Sequence, residues 1–138
     1  MIFEIAESGD LTPLVDYLKK VGLDHKIFLF QGDLGAGKTT IVKAIGASLG
    51  LGNQMNSPSF GLINDYQTAS GDHFYHIDLY RLDDPAEAFD IGLLEVLDSG
   101  SICWIEWPDI LRELWHSYDT VSVQIEVLND GSRRIFVS

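Results

Sequence analysis

The stretch Lys26–Thr40, KIFLFQGDLGAGKTT, decides the fold that this sequence predicts. Its first part, Lys26–Gln31, is a compact apolar run typical of a strand buried on both faces of a parallel sheet. Its second part, Gly32–Thr39, fits the pattern G-x-x-x-x-G-K-[ST] without a mismatch. The segment that follows places its apolar residues at helical spacing: Ile41, Val42, Ile45 and Leu49. A strand, a glycine-rich turn and a helix in this order predict a loop that wraps a phosphate group.

Each residue type in this loop meets a physical requirement of phosphate binding. Glycines allow backbone turns that are closed to other residues, so that successive N–H groups point at the phosphate. Lys38 supplies a mobile ammonium for the β- and γ-phosphates, and the Thr39 hydroxyl is a ligand for Mg²⁺. The residues predicted to bind the nucleotide are Leu34, Gly35, Ala36, Gly37, Lys38, Thr39 and Thr40. We therefore predict a nucleotide, bound with Mg²⁺, as the ligand.

Enzymes with such a loop need a second carboxylate, at the end of a neighbouring strand, to hold the metal ion or its waters. Two stretches qualify: the apolar Ser101–Glu106, which ends in Glu106, and the less apolar His73–Asp78, which ends in Asp78. Either carboxylate alone is also consistent with a solvated strand end. The presence of both predicts that at least one of them contributes to a magnesium site.

Four other residues near these motifs have more than one interpretation. Ser59 is a candidate sensor of the γ-phosphate, or else part of a Ser-Pro turn that starts a strand. Arg81 is either an internal arginine finger or the partner of a nearby acidic side chain. His76 is either a ligand or a packed core residue, and the packing role is favoured. Trp107 either fixes the turn after the strand or lies near the nucleotide, and the packing role is favoured.

The remaining sequence predicts an α/β, P-loop NTPase-like single domain over residues 1–138. Strands alternate with helices along the chain, and the turn residues at 129–132 predict a closing hairpin. We expect a mixed, mostly parallel sheet flanked by helices, with a C-terminal β-hairpin and an extended segment over Ser57–Tyr66. Helices are expected after Asp10 or Thr12, after the glycine-rich loop, at Asp84-Pro85, at Ile91–Leu97 and at Pro108–His116.

The charge of the chain argues against direct binding of nucleic acid. Its 138 residues include 21 Asp and Glu but only 9 Lys and Arg, for a net charge of −12. Nucleic-acid binding needs clustered basic side chains, and here they are scattered. We therefore expect contact with RNA only through another protein; the acidic surface suits a basic partner or simply keeps the chain soluble. The single cysteine and the lack of a long apolar run predict a soluble, cytoplasmic protein.

Four motifs, taken in order, are more specific than the loop alone: GDLGAGKT at 32–39, SPSF at 57–60, HIDLYRL at 76–82 and EWP at 106–108. Together they resemble the TsaE (YjeE) family of bacterial ATPases, which acts in making threonylcarbamoyladenosine on tRNA, at the adenosine next to the anticodon. The resemblance implies an ATP hydrolase that uses Mg²⁺ and is slow alone. It also implies action on the TsaD–TsaB complex, with tRNA reached only indirectly through these partners.

The resemblance also assigns roles residue by residue. It implies that Thr39 and Glu106 are the magnesium ligands and that Asp78 orients water or the metal for hydrolysis. The implied catalytic set is Lys38, Asp78 and Glu106. Ser59 stands where the family usually has threonine, so that the hydroxyl is kept and a methyl group is lost.

Two other functions are compatible with the same motifs. The first is a small-molecule kinase, although such kinases close several arginines over the phosphate and only Arg112, Arg133 and Arg134 lie outside the motif region. The second is a nucleotide-loaded binding module with little turnover. A GTPase and a transporter ATPase are disfavoured because neither N-K-x-D nor L-S-G-G-Q occurs. For the adenine contacts, residues 7–10 and the terminal hairpin are candidates.

Overall fold

The computed structural model describes residues 1–7, 9–33, 37–51, 62–80 and 82–138, with Thr39 described in its backbone only. Within these residues the chain forms one seven-stranded sheet with the strand order β1-β7-β6-β2-β5-β4-β3. The strands are β1 Ile2–Ile5, β2 Ile27–Gln31, β3 Ile63–Gln67, β4 His73–Asp78, β5 Ile102–Glu106, β6 Thr120–Val127 and β7 Arg133–Val137. The helices are α1 Thr12–Val21, α2 Lys38–Ser48, α3 Ala86–Asp90, α4 Leu93–Asp98 and a 3₁₀ helix at Pro108–Ser117.

The centre of the sheet is parallel and its margins are antiparallel. Strand β2 pairs in parallel with β5 and β6, and β5 pairs in parallel with β4. The flanking pairs β1–β7, β6–β7 and β3–β4 are antiparallel. This arrangement confirms the predicted mixed sheet and the predicted C-terminal hairpin. Because β2, β5 and β4 are parallel neighbours, their carboxyl ends meet at one edge of the sheet, which positions the candidate site.

Helices cover both faces of the sheet, as an α/β fold requires. On one face, α1 and α2 bury an aromatic cluster in which Trp104 lies 4.7 to 5.6 Å, between ring centroids, from Phe28, Phe30 and Phe74. On the other face, α3, α4 and the 3₁₀ helix pack against Ile27, Leu29, Ile77, Cys103 and Ile105. The apolar run 27–30 is buried on both sides, as its composition predicted.

Within the described residues the predicted helical segments occur in the predicted order, with two local corrections. The segment predicted as a helix over Pro108–His116 is a 3₁₀ helix to Ser117 with non-helical backbone at Leu111 (φ −116°, ψ 39°). The indole N–H of Trp115 donates to the Pro108 carbonyl at 2.8 Å, which links the two ends of this segment. The helix predicted from Ile91 begins only at Leu93, because Gly92 adopts a left-handed conformation with φ 91°.

The part of the chain described by the structure includes no helix long and apolar enough to cross a membrane. Of the extended segment predicted from 57 to 66, residues 57–61 lie outside the described residues, and Ile63–Gln67 form β3.

Candidate active site

The candidate site begins where β2 leads toward the start of α2. Gly37 precedes the helix with φ 95°, a left-handed conformation that favours glycine, and its carbonyl accepts the Ile41 N–H at 3.1 Å. The first N–H groups of a helix have no acceptor within it, and the helix dipole makes this end partly positive. The N-terminus of α2, at the carboxyl edge of the sheet, is therefore suited to an anion such as a phosphate group.

Lys38 is the first residue of α2 and only 5% of it is exposed. Its ammonium Nζ donates to the Gly32 carbonyl at 2.7 Å and lies 3.4 Å from the centroid of the Trp107 ring. Burial lowers the pKa of Lys38, although the negative charges of Glu106 and Asp78 partly oppose the shift. A buried ammonium has lost part of its hydration, so an anionic ligand that pairs with it stabilises its charge strongly.

Glu106 and Asp78 end neighbouring parallel strands and lie opposite each other in register. Glu106 is buried, with 4% of the residue exposed, and its Oε2 is 2.5 Å from His76 Nε2. Asp78 is half-buried, and its Oδ1 accepts the Tyr80 N–H at 3.0 Å. The negative charges of both carboxylates act on the pKa of Lys38, and the Lys38 ammonium lies over the ring of Trp107, the residue that follows Glu106. The structure thus brings together the three side chains that the sequence predicted as catalytic.

Glu106 and the helix that carries Thr39 fit a magnesium ion that takes most of its ligands from water and from a bound phosphate. Carboxylate oxygens are ligands that Mg²⁺ prefers, and it usually combines one or two of them with waters and substrate phosphates. Among the described residues, no group of three His, Cys, Asp or Glu side chains could hold a metal ion by itself. A buried Glu106 beside the helix that carries Thr39 matches the sparse donor set of such sites.

Trp107 packs against the core, as the favoured interpretation expected, and its ring also faces Lys38. It follows Glu106 directly and has a left-handed backbone, with φ 58°, which a non-glycine residue adopts rarely. Its ring faces the Lys38 ammonium on one side and contacts Tyr80 with 4.9 Å between ring centroids. The Trp107 ring therefore lies beside the N-terminal end of α2.

Arg133 lies at the start of α2, and the sequence analysis gave it no role there. A Cβ atom built on Gly37 would collide with Nη1 of Arg133, so the guanidinium lies directly against the start of α2. The neighbouring Arg134 instead forms an exposed ion pair with Glu4, with 2.9 Å between Nη2 and Oε1. The sequence analysis placed both arginines in the terminal hairpin and assigned neither of them to the phosphates. The signal available was strand alternation, which sends adjacent side chains to opposite faces.

The segment before α1 also meets the terminal hairpin near this edge. A Cβ atom built on Gly131, in the hairpin turn, would lie 2.7 Å from Oε2 of Glu7. The two segments predicted as candidates for the adenine contacts are therefore adjacent to each other, and the hairpin carries Arg133 to the phosphate end.

Several predicted site residues lie outside the described residues, namely Leu34, Gly35, Ala36, Ser59 and Arg81. The side chain of Thr39 lies outside them too, while its backbone is in the first turn of α2. Thr40 is exposed in the same turn. The roles assigned to these residues stay predictions.

A buried strand, a helix that starts with a buried lysine, and carboxylates on the adjacent strands define a P-loop NTPase-like protein. The fold agrees with a crystal structure of YdiB from Bacillus subtilis, which aligns with a TM-score of 0.63 and 21% identity over 100% of this chain and 84% of that one. The family model for "Threonylcarbamoyl adenosine biosynthesis protein TsaE" matches residues 5–135. The chain belongs to the TsaE family, as its motifs predicted.

Two relatives agree with this assignment. A protein from Treponema pallidum named tRNA threonylcarbamoyladenosine biosynthesis protein TsaE is 37% identical over 115 residues, which cover 83% of this chain and 83% of that protein. A protein of the same name from Bacillus subtilis is 38% identical over 109 residues, which cover 79% of this chain and 66% of its relative.

Proposed function

We propose that this protein is a Mg²⁺-dependent ATP hydrolase that serves threonylcarbamoyladenosine modification of tRNA by acting on the TsaD–TsaB complex in the cytoplasm. The observation that carries the proposal is the setting of Lys38: a buried ammonium at the start of α2, beside two strand-end carboxylates. The names of the relatives from Treponema pallidum and Bacillus subtilis supply the pathway.

Phosphate binding begins with an exchange of partners by Lys38. In the structure its Nζ is held by the Gly32 carbonyl and by the face of Trp107. An incoming triphosphate offers charged oxygens, which bind an ammonium more strongly than a neutral carbonyl does. The first N–H groups of α2 and the guanidinium of Arg133 add donors from two further directions. We therefore assign all three to the binding of the phosphates.

Hydrolysis needs groups that would hold the metal and a group that orients the attacking water toward the γ-phosphorus. Glu106 and the Thr39 hydroxyl are the groups we assign to the metal. Bound Mg²⁺ would neutralise charge that develops on the phosphate oxygens. Asp78 is fixed through Oδ1 by the Tyr80 N–H, which leaves Oδ2 as the atom we assign to orienting the water. The water oxygen bonds to the γ-phosphorus as the bond from that phosphorus to the β–γ bridging oxygen breaks, and the water proton passes to the departing phosphate, which leaves ADP and inorganic phosphate.

The whole-chain charge supports a role through protein partners. A net charge of −12 disfavours direct contact with tRNA, and it suits docking on a basic protein surface. Hydrolysis that depends on docking would keep ATP from being consumed when the chain is alone. We therefore expect slow turnover by the isolated protein and faster turnover on the TsaD–TsaB pair.

The direct test is phosphate release from ATP by the purified protein, with and without Mg²⁺ and with and without a TsaD–TsaB pair from the same organism. We expect stimulation by the pair, its loss in Lys38→Ala, and ATP binding without hydrolysis in Asp78→Ala. Equal rates with and without the pair would refute the partner-dependent ATPase. ATP binding with no phosphate release in any mixture would instead favour a nucleotide-loaded binding module.

A further inference from the structure

His76 and Glu106 form a buried pair at the centre of the site. His76 Nε2 and Glu106 Oε2 are 2.5 Å apart, and the two side chains are 2% and 5% exposed. The residues belong to the adjacent parallel strands β4 and β5, where Asp78 pairs with Glu106 and His76 pairs with Trp104. Alternation along β4 places His76 on the same face as Asp78, two residues before it.

We propose that His76 is a positioning residue that holds the Glu106 carboxylate in the orientation in which it binds Mg²⁺. This inference rests on the proposed function, since it assigns a role to a partner of the proposed metal ligand. Carboxylates that bind metals are themselves commonly fixed by hydrogen bonds, and loss of such a partner typically weakens metal binding by about 10- to 100-fold.

The direction of the hydrogen bond follows from the chemistry of the two groups. An ionised carboxylate only accepts, so Nε2 carries the proton and donates it to Oε2. The other ring nitrogen, Nδ1, is buried and has no hydrogen-bond partner among the described residues. Among the described residues Nδ1 therefore has no acceptor to which it could donate, whereas Nε2 lies within hydrogen-bond distance of Oε2. The tautomer that carries its proton on Nε2 fits this geometry, and its N–H fixes the orientation of the Glu106 carboxylate.

Burial makes this contact hard to replace. With both side chains nearly inaccessible, water cannot readily substitute for the donor if the imidazole is removed. The same strand offers a contrast in His73, whose Nδ1 lies 2.8 Å from Asp65 while both side chains are about half exposed. An exposed pair of this kind contributes little, because water competes for both groups. His73 is thus a matched control on the same strand.

The test measures Mg²⁺ affinity, not turnover. A fluorescent ADP analogue is titrated into each purified variant in the presence of a chelator and then at increasing Mg²⁺ concentration. We expect His76→Phe, which fills the volume without a donor, to need at least 10-fold more Mg²⁺, while metal-free affinity for the analogue changes less than about threefold. His73→Phe should match the wild type.

Two amide variants separate positioning from packing. The amide nitrogen of His76→Gln can occupy the place of Nε2 and should restore most of the Mg²⁺ response, whereas that of His76→Asn corresponds to Nδ1 and should not. These variants carry the test if His76→Phe does not fold. The inference would be overturned if His76→Asn needed the same Mg²⁺ concentration as the wild type. It would also be overturned if the variants lost as much affinity for the ADP analogue without Mg²⁺ as with it. Absence of any Mg²⁺ effect in the wild type would overturn the proposed function with it.

Discussion

The single residue Lys38 shows how a side chain in the candidate site can lower the stability of the folded protein. Its ammonium is buried, and burial lowers its pKa even though Glu106 and Asp78 lie nearby. The charged form is therefore less favourable in the folded protein than in the unfolded chain. Such a group can favour ligand binding while it lowers the stability of the ligand-free protein, as is common in functional sites.

We therefore predict that Lys38→Met melts at a higher temperature than the wild type at neutral pH, while it no longer binds ATP. The thioether can still pack against the Trp107 ring, and the dehydrated charge is removed. The pKa of Lys38 is lower in the folded protein than in the unfolded chain, so between these two pKa values the unfolded chain holds more protons. The stability of the wild type therefore rises with pH in that interval. The advantage of the variant should shrink as the pH approaches the ordinary lysine pKa.

The measurement is thermal unfolding of both proteins from pH 7 to pH 10. Lys43→Met is the control, since Lys43 is exposed on the same helix and its replacement should leave the melting temperature nearly unchanged. A lower melting temperature for Lys38→Met at pH 7, or a difference that grows with pH, would contradict the argument.

At the scale of the element, strand β7 gives its two arginines different surroundings. Arg133 lies against Gly37 at the start of α2, whereas Arg134 pairs with Glu4 at the surface. If Arg133 contacts the phosphates, Arg133→Ala should raise the dissociation constant for ATP about 10-fold, or ~1.4 kcal/mol, as expected for one charge-assisted hydrogen bond.

Arg134→Ala removes the same charge from the next residue and should change the ATP affinity less than about twofold, because exposed ion pairs contribute little. Isothermal titration of ATP into both variants compares them directly. Similar losses in the two variants would show that only the overall charge of the hairpin matters. No loss in either would remove Arg133 from the site.

The elements that the sequence predicted well are those with strong local patterns. The run 27–30 is apolar at every position, and α1 carries its buried residues Leu14, Val15 and Leu18 on one face. Periodicity of this kind depends on near neighbours, so it can be recognised without the fold. The 3₁₀ helix at Pro108–Ser117 was harder, since its backbone depends on a contact between Trp115 and Pro108.

The site was predictable to the extent that its residues lie in motifs. Lys38 was predicted from the glycine-rich motif, and Asp78 and Glu106 were predicted because each ends a strand. Arg133 and the bond between His76 and Glu106 were not, since both depend on contacts between distant parts of the chain. A buried histidine has many uses, and its partner is decided by strand register.

At the scale of the whole molecule, charge limits which macromolecule this protein can bind alone. The net charge is −12, and the chain has only nine lysines and arginines. Two of these are not available to bind a polyanion at the surface, because Lys38 is buried and Arg134 pairs with Glu4. Polyanion binding depends on released counterions, and non-specific affinities for nucleic acid are typically ~1 to ~100 μM for proteins that neutralise several phosphates.

We therefore predict that the isolated protein does not bind tRNA measurably at concentrations up to about 100 μM, the weak end of that range. In a filter-binding assay near physiological salt, the TsaD–TsaB pair should retain tRNA. With ATP and Mg²⁺ this protein should join the complex of the pair with tRNA. Without the pair, adding it should not increase the amount of tRNA retained on the filter. Tight binding of tRNA by the protein alone, falling steeply with salt, would contradict the prediction, because it would require a basic surface that the charge distribution does not supply.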